Sequence, residues 1–236
     1  EEFKPTWIIH LAGQVCLTPS INNPQNDATL NIIGTLNVLE VARKHNCGVT
    51  FSSSGAIYGN NYQYPEPISP YGVSKLTAET YCRLYHTLHG LHTVVFRFSS
   101  VYGYGRAPTS INLIIAKALR NDTIQITGDG SQTRDFTYVS DIAEALVMST
   151  EKKFPSGVYD TGTGVATSIN ELVHLLEQLL NKQISTQYIP SNNADPRRNE
   201  LNVSKAASYG FKAQVSLKEG LEKLIGKLND AQNMSH

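Results

Sequence analysis

From Trp7 to Ala12 the chain reads WIIHLA, a short apolar run closed by Gly13. After a polar, proline-containing interval, Leu30, Ile33, Leu36 and Leu39 recur at helical spacing in a segment that extends to His45. The pattern predicts strand, loop and helix. Val49 to Ser53 reads as a second strand, and Ser69-Pro70 opens a helix with a capping hydroxyl and a first-turn proline that Gly90 closes. Thr93 to Phe98 (TVVFRF) is a third strand. Strands apolar on both faces that alternate with long helices predict an α/β layer fold built on a parallel sheet.

After Tyr102 the pattern changes. GYGRAPTS is loop-like, Ile111 to Leu119 is a short helix, and Ile124–Thr127 and Thr133–Val139 flank Gly128-Asp-Gly-Ser131 in the manner of a β-hairpin. Ser140 and Asp141 start another amphipathic helix. Ser168 with Glu171 predicts a capping box for a helix reaching about Leu180. At the end of the chain Leu217, Leu221, Leu224, Ile225 and Leu228 form one apolar stripe suited to packing on a core.

Composition narrows the function. The 236 residues carry 20 basic and 20 acidic side chains and are 40% hydrophobic, with no apolar run long enough for a membrane span. A soluble globular chain is expected, without the basic footprint of a nucleic-acid binder. Cys16, Cys47 and Cys82 are too few and too scattered for a disulfide framework, and the first residues, EEFKPTWIIHLAG, do not read as a secretion signal. A reducing, cytoplasmic setting fits, with the three cysteines packed as small hydrophobes. Cys82, His86 and His89 share a helical face, but histidines in a last turn are better explained by the helix dipole than by a metal.

The chemistry concentrates around Tyr71-Gly-Val-Ser-Lys75. A four-residue step at a helix start puts phenol and ammonium on one face, and a fixed positive charge favours the phenolate, making the tyrosine a usable base. Alone, the pattern equally fits a surface pair packed along a helix. Upstream, Ser52, Ser53 and Ser54 lie at the carboxyl end of a predicted parallel strand, where open α/β sheets bind ligands. Any one of these serines alone would read as a loop cap.

Seven segments now align in one order: HLAGQ (10–14), NIIGTLNVLEVAR (31–43), SSSGAIYG (52–59), SPYGVSK (69–75), VVFRFSSVYG (94–103), GDGSQTRDFTYVSDIAEA (128–145) and YDTGTGVATSINEL (159–172). Through them the sequence resembles the extended short-chain dehydrogenases/reductases, in their NAD-dependent nucleotide-sugar epimerase/dehydratase branch. The resemblance implies a Rossmann-like doubly wound parallel sheet with a smaller α+β substrate-binding region. Residues 1–102 would be the core, 103–134 a substrate-binding insertion, 135–160 a return to the core, and 161–236 the C-terminal substrate region. It implies NAD as cofactor and an epimerisation that passes through a transient ketosugar.

Carried over by motif, Tyr71 would be the general base, Lys75 would lower its pKa and hold the nicotinamide ribose, and Ser54 would meet the sugar hydroxyl. Ala12, Gly13, Gln14 and Asn31 would line the cofactor, and Ser52 and Ser99 would border the nicotinamide. Ser100, Asn112, Arg134 and Arg198 would contact the nucleotide sugar, the arginines through a planar fork suited to phosphate. Without the resemblance, Arg134 would read as an ion pair with Asp135 or a neighbour, and Arg198 as a solvated loop charge.

Two departures matter. The family's G-x-x-G-x-x-G loop is absent from the sequence, so WIIHLAG resembles the family's fourth strand and an upstream βαβ region is expected to be missing. Gly162-Thr-Gly164 is no substitute; a tight turn is its expected role. Where the dehydratase branch has an acidic pair, this sequence has Gly55 and Ala56, which cannot transfer protons. Gln14 and Ser100 resemble the CDP-tyvelose 2-epimerase subgroup, while a CDP- or UDP-sugar 4-epimerase would use the same Ser, Tyr and Lys. The competing expectations are another family reaction, or a non-catalytic fragment unable to hold the dinucleotide. In the family that the sequence resembles, the helices near 31–45 and 70–89 often pair in a homodimer, while their apolar faces would equally serve the core of a monomer.

Overall fold

The computed structural model describes residues 3–61, 63–105, 110–190, 196–198 and 200–233. Residues 106–109 of the GYGRAPTS loop, and 194, 195 and 199 of the ADPRRNEL motif, lie outside these.

Strand β1 (Trp7–His10) is shorter than its apolar run, because Leu11 and Ala12 leave the sheet. Helices α1 (Leu17–Asn22) and α2 (Pro24–Ala28) follow, the second capped by Asn23, which accepts from the Asn26 amide at 3.1 Å. A single π turn (Thr29–Ile33) then leads into α3 (Gly34–His45). This turn corrects the predicted stripe. Its extra residue rotates the helical face, so Leu39 is buried whereas Leu30 and Ile33 are 46% and 52% exposed.

Strand β2 (Gly48–Ser54) runs into a short 3-10 helix (Gly55–Tyr58). Helix α4 (Pro70–His89) begins where expected, with Ser69 Oγ accepting from the Gly72 amide at 3.1 Å, and ends at Gly90 in the left-handed region. Strand β3 (Thr93–Phe98) matches its predicted bounds.

The second half contains β4 (Ser100–Tyr102), α5 (Ser110–Arg120), β5 (Ile124–Thr127), β6 (Thr133–Tyr138), α6 (Val139–Thr150), β7 (Gly157–Thr161) and β8 (Ala166–Ser168). After these come α7 (Ile169–Leu180), β9 (Thr186–Ile189), α8 (Ser204–Ala207) and α9 (Leu217–Asn233). The predicted hairpin does not form. β5 pairs in parallel with β9, and β6 pairs with β4 and β8 in a different sheet. Asp129 turns the chain by accepting from the Ser131 amide and hydroxyl, at 3.0 and 2.6 Å, and the strands then diverge. The capping box is present: Ser168 and Glu171 exchange bonds at the start of α7.

The main sheet is wholly parallel in the order β1-β2-β3-β7. On one face α3 and α4 bury Leu39, Ala42, Ala78 and Cys82 against Val49, Phe51 and Val95. On the other, α6 and α8 cover Val94, Phe96 and Tyr159. Helices on both faces make the sheet doubly wound, as expected. A separate core gathers α5, α7 and α9, including Ile111, Ile115, Leu172, Leu176, Leu221 and Leu224.

Cys47 and Cys82 are buried as small hydrophobes, but Cys16 is exposed because α1 begins on an open loop. His86 Nδ1 meets the Leu91 carbonyl at 3.0 Å and His89 packs edge-on to Tyr85. No group of three metal-ligating side chains comes together among the described residues, and none of their helices is long and apolar enough to cross a membrane.

Candidate active site

Helix α4 delivers Tyr71 and Lys75 one turn apart on the same face, both buried at 8% and 2% exposure. The Lys75 ammonium donates to the Ser52 carbonyl at 2.9 Å and lies 5.0 Å from the centre of the Phe51 ring. Loss of hydration pulls its pKa from the ordinary 10.5 down to about 8, against the opposing pull of the Asp27 carboxylate. Lysine is therefore anchored at the carboxyl end of β2 with donors to spare.

Asn31, the one polar side chain of the π turn that is buried, knits the neighbouring loop. Its Oδ1 accepts from the Gln14 amide at 2.9 Å, while its Nδ2 lies within 3.2 Å of Gln14 O, Asp27 Oδ1 and Ser74 Oγ. Gly13 sits inside this arrangement. A Cβ there would stand 2.6 Å from Asn31 Oδ1 and 3.5 Å from the Lys75 ammonium, so only glycine keeps the space beside the lysine clear. Ala12 and Gly13 are exposed at the strand end. The Gln14 side chain folds back on its own loop, bonding both the amide and the carbonyl of Cys16.

Ser54 caps the 3-10 helix by accepting from the Ala56 amide at 3.1 Å, which leaves its own proton available to donate. Ser52 Oγ donates to the His10 carbonyl at 3.2 Å, joining β1 to β2. His10 itself is kept neutral by burial and then by Lys75, which bring its pKa down to about 4, and its Nε2 meets Thr35 Oγ1 at 3.1 Å. Ser99 Oγ and Thr137 Oγ1 lie 2.6 Å apart, and Ser100 opens β4 opposite Phe136.

Gly162-Thr-Gly164 is a turn wrapped around a carboxylate: buried Asp135 accepts from the amides of Thr163 and Gly164 at 3.0 and 2.9 Å and from the Thr163 hydroxyl. Asp135 is thus committed to that turn. Arg134 Nη1 donates to the Thr133 carbonyl at 2.7 Å.

The Thr133 amide donates to Arg197 O at 3.0 Å, which lays the Arg197-Arg198 segment beside β6 and brings the Arg134 and Arg198 regions together. Arg198 pairs with Glu200 at 2.5 Å on the lip of a groove of about 510 Å³, lined also by Gly164, Leu201, Asn202, Val203 and Ser204. Asn112, in the first turn of α5, donates to Gly103 O at 3.2 Å and is not part of that lining.

The residues at hand suit the nicotinamide riboside end of NAD. A buried ammonium that makes one hydrogen bond among the described residues, to the Ser52 carbonyl, and that lies beside Gly13 and one helical turn from Tyr71, would hold ribose hydroxyls. Sequence reasoning missed four buried or half-buried polar residues around this site: Glu79, Arg97, Tyr58 and Asp160. A signal was present. Glu79 falls on the face of Tyr71 and Lys75, and Arg97 interrupts an otherwise apolar strand.

The chain is similar along most of its length to known nucleotide-sugar epimerases. A UDP-glucose 4-epimerase of Mycolicibacterium smegmatis is 33% identical over 238 residues, covering 95% of this chain and 76% of that protein. A CDP-paratose 2-epimerase of Salmonella typhi is 30% identical over 262 residues, covering 94% and 75%. The crystal structure of a UDP-glucose 4-epimerase from Thermotoga maritima, with UDP-glucose, superposes with a TM-score of 0.91 at 34% identity over 97% of this chain and 78% of that one. Residues 1–162 match the model of a single family, and the chain belongs to it: the NAD dependent epimerase/dehydratase family.

Proposed function

We propose that this chain carries the catalytic and substrate-binding machinery of an NAD-dependent nucleotide-sugar epimerase, with a UDP-hexose epimerised at C4 as the favoured substrate. The observation that carries this reading is the buried Tyr71–Lys75 pair at the sheet's carboxyl end, with the Ser54 hydroxyl on the adjoining strand end. Lys75 would hold the ribose hydroxyls and, as a cation, favour the phenolate of Tyr71. Tyr71 would then take the proton of a sugar hydroxyl oriented by Ser54. Bound NAD would supply the hydride acceptor for the oxidation and, once reduced, the same hydride for the return step, while Tyr71 handles only the proton. Tyr71 returns the proton after the ketosugar has presented its other face, so no second substrate is consumed. Arg134 and Arg198, whose segments lie side by side, would take the diphosphate, and Ala12, Gly13, Gln14, Asn31, Ser52 and Ser99 would border the cofactor.

The relatives' C4 chemistry favours a UDP-hexose, while Gln14 and Ser100 favour a second reading as a CDP-sugar 2-epimerase. One experiment separates them. The full-length protein is incubated with UDP-glucose and, separately, with CDP-paratose, and the product stereochemistry is read by NMR. UDP-galactose supports the first reading, CDP-tyvelose the second, and inversion of neither overturns the assignment of these two substrates. If the full-length protein also binds no NAD, the non-catalytic reading stands.

A further inference from the structure

Three strands of the main sheet place polar residues in a single row: Ser53 pairs with Arg97 and Arg97 with Asp160. Preceding pairs on this face, Phe51 with Val95 and Val95 with Val158, are apolar, so a charged row at the strand ends demands a reason. Glu79 descends from α4 to meet it. The Arg97 guanidinium grips Glu79 through two bonds of 3.0 and 2.5 Å, and Ser53 Oγ donates to the same carboxylate at 3.2 Å. Arg97 Nη1 donates to the Tyr58 hydroxyl at 2.6 Å, and that hydroxyl donates onward to the Asp160 carboxylate at 2.9 Å. Burial pushes the pKa of Asp160 up, and the backbone amide of Asn202 lies close enough to favour the charged form, as the smallest of the opposing influences.

Every member is hydrogen-bonded, as an ionic network largely withdrawn from water requires. More telling is what the row connects. At one end is α4, eight residues beyond Tyr71; at the other is Asn202, in the lining of the groove that also receives Arg198. Midway, Tyr58 ends the 3-10 helix that Ser54 caps. The same groove segment is fixed a second time where the Arg197 amide meets Asn60 Oδ1 at 3.1 Å.

We propose that the Glu79–Arg97–Tyr58–Asp160 row is a strut that sets the position of the groove loop and the Ser54 turn relative to the Tyr71 helix, with Arg97 and Tyr58 as positioning residues. Its catalytic half rests on the proposed function; its mechanical half does not. Tyr58→Phe removes the central hydroxyl while leaving the Glu79–Arg97 pair intact and the Arg97 guanidinium 3.9 Å from the Asp160 carboxylate, so the chain is expected to keep its fold. A lysine at 97 cannot hold a carboxylate bidentately and reach Tyr58 as well, so Arg97→Lys acts on the same strut from its other side.

Both variants are made in the full-length protein. In Tyr58→Phe, amide hydrogen exchange is expected to rise at 55–60 and 200–203 while 34–45 stays unchanged. Turnover of the sugar the wild type epimerises should fall about tenfold with KM within about twofold, because misplaced reacting groups cost rate rather than binding. Arg97→Lys should lose more turnover in the same direction. Unchanged exchange at both segments overturns the strut whatever the substrate proves to be. Raised exchange with unchanged kcat, or raised KM with kcat intact, overturns the positioning role. A wild type inactive on every sugar counts against the proposed function, and the exchange result then decides the strut alone.

Discussion

Lys75 makes a prediction about stability that is separate from catalysis. Its folded pKa of about 8 lies below the ordinary 10.5, so between those pH values the unfolded chain binds more protons than the folded one. Stability contributed by this residue therefore rises with pH through that window. Below pH 8 the full cost of burying the charge is present, about 3 kcal/mol for such a shift. The difference in urea-unfolding free energy between wild type and Lys75→Met should move in favour of the wild type by that order from pH 7.5 to 10. A pH-independent difference would show that the ammonium is not desolvated. Tyr71→Phe is the catalytic counterpart. As the proposed base its loss should cost about 10²-fold or more in turnover with cofactor binding retained, measured by NMR conversion and NAD titration. Both residues are legible in the sequence because a helix start fixes what four positions apart means. Glu79 and Arg97 each leave a signal in the sequence, but their pairing does not, since it depends on which face of β3 meets α4, and spacing along the chain does not encode that.

At the scale of elements, α4 shows how local chemistry serves the site. Ser69 holds the first turn by accepting the Gly72 amide, and Tyr71 sits in that turn. Ser69→Ala should lower unfolding free energy by about 1 kcal/mol. Because fraying would begin at the base, turnover should drop as well; denaturant titration and initial rates report the two effects, and a stability loss with full activity would show the turn held by other contacts. Such caps are written in adjacent residues, which is why α4 and α7 are legible from the order of residues alone. The π turn before α3 and the divergence of β5 from β6 are not. Gly128-Asp-Gly-Ser131 has the composition of a hairpin, yet the partner of β5 is β9, some sixty residues further on, and long-range pairing overrides the local signal.

Across the whole molecule, one surface is at odds with a chain that ends its contacts at its own boundary. On α4, Val73, Leu84 and Leu88 point outward, Leu88 with 64% exposure, and Leu30, Ile33 and Val41 do the same on the adjacent π turn and α3. Tyr85 donates to Glu40 across the two helices at 2.5 Å, so the two helices lie side by side at the surface. Contiguous apolar patches of this kind mark interfaces, and a patch on two neighbouring helices can meet its own copy about a twofold axis. We infer a homodimer in which these helices form a four-helix bundle. In a symmetric interface each leucine counts twice, so Leu84→Glu with Leu88→Glu withdraws four apolar side chains, on the order of 6 kcal/mol of burial before the cost of the added charge. Light scattering on the full-length protein should find a dimer for the wild type and a monomer for the double variant, with the far-ultraviolet circular dichroism unchanged because neither side chain belongs to the core. A wild-type monomer at tens of micromolar would overturn the interface and leave the exposed helices to another partner.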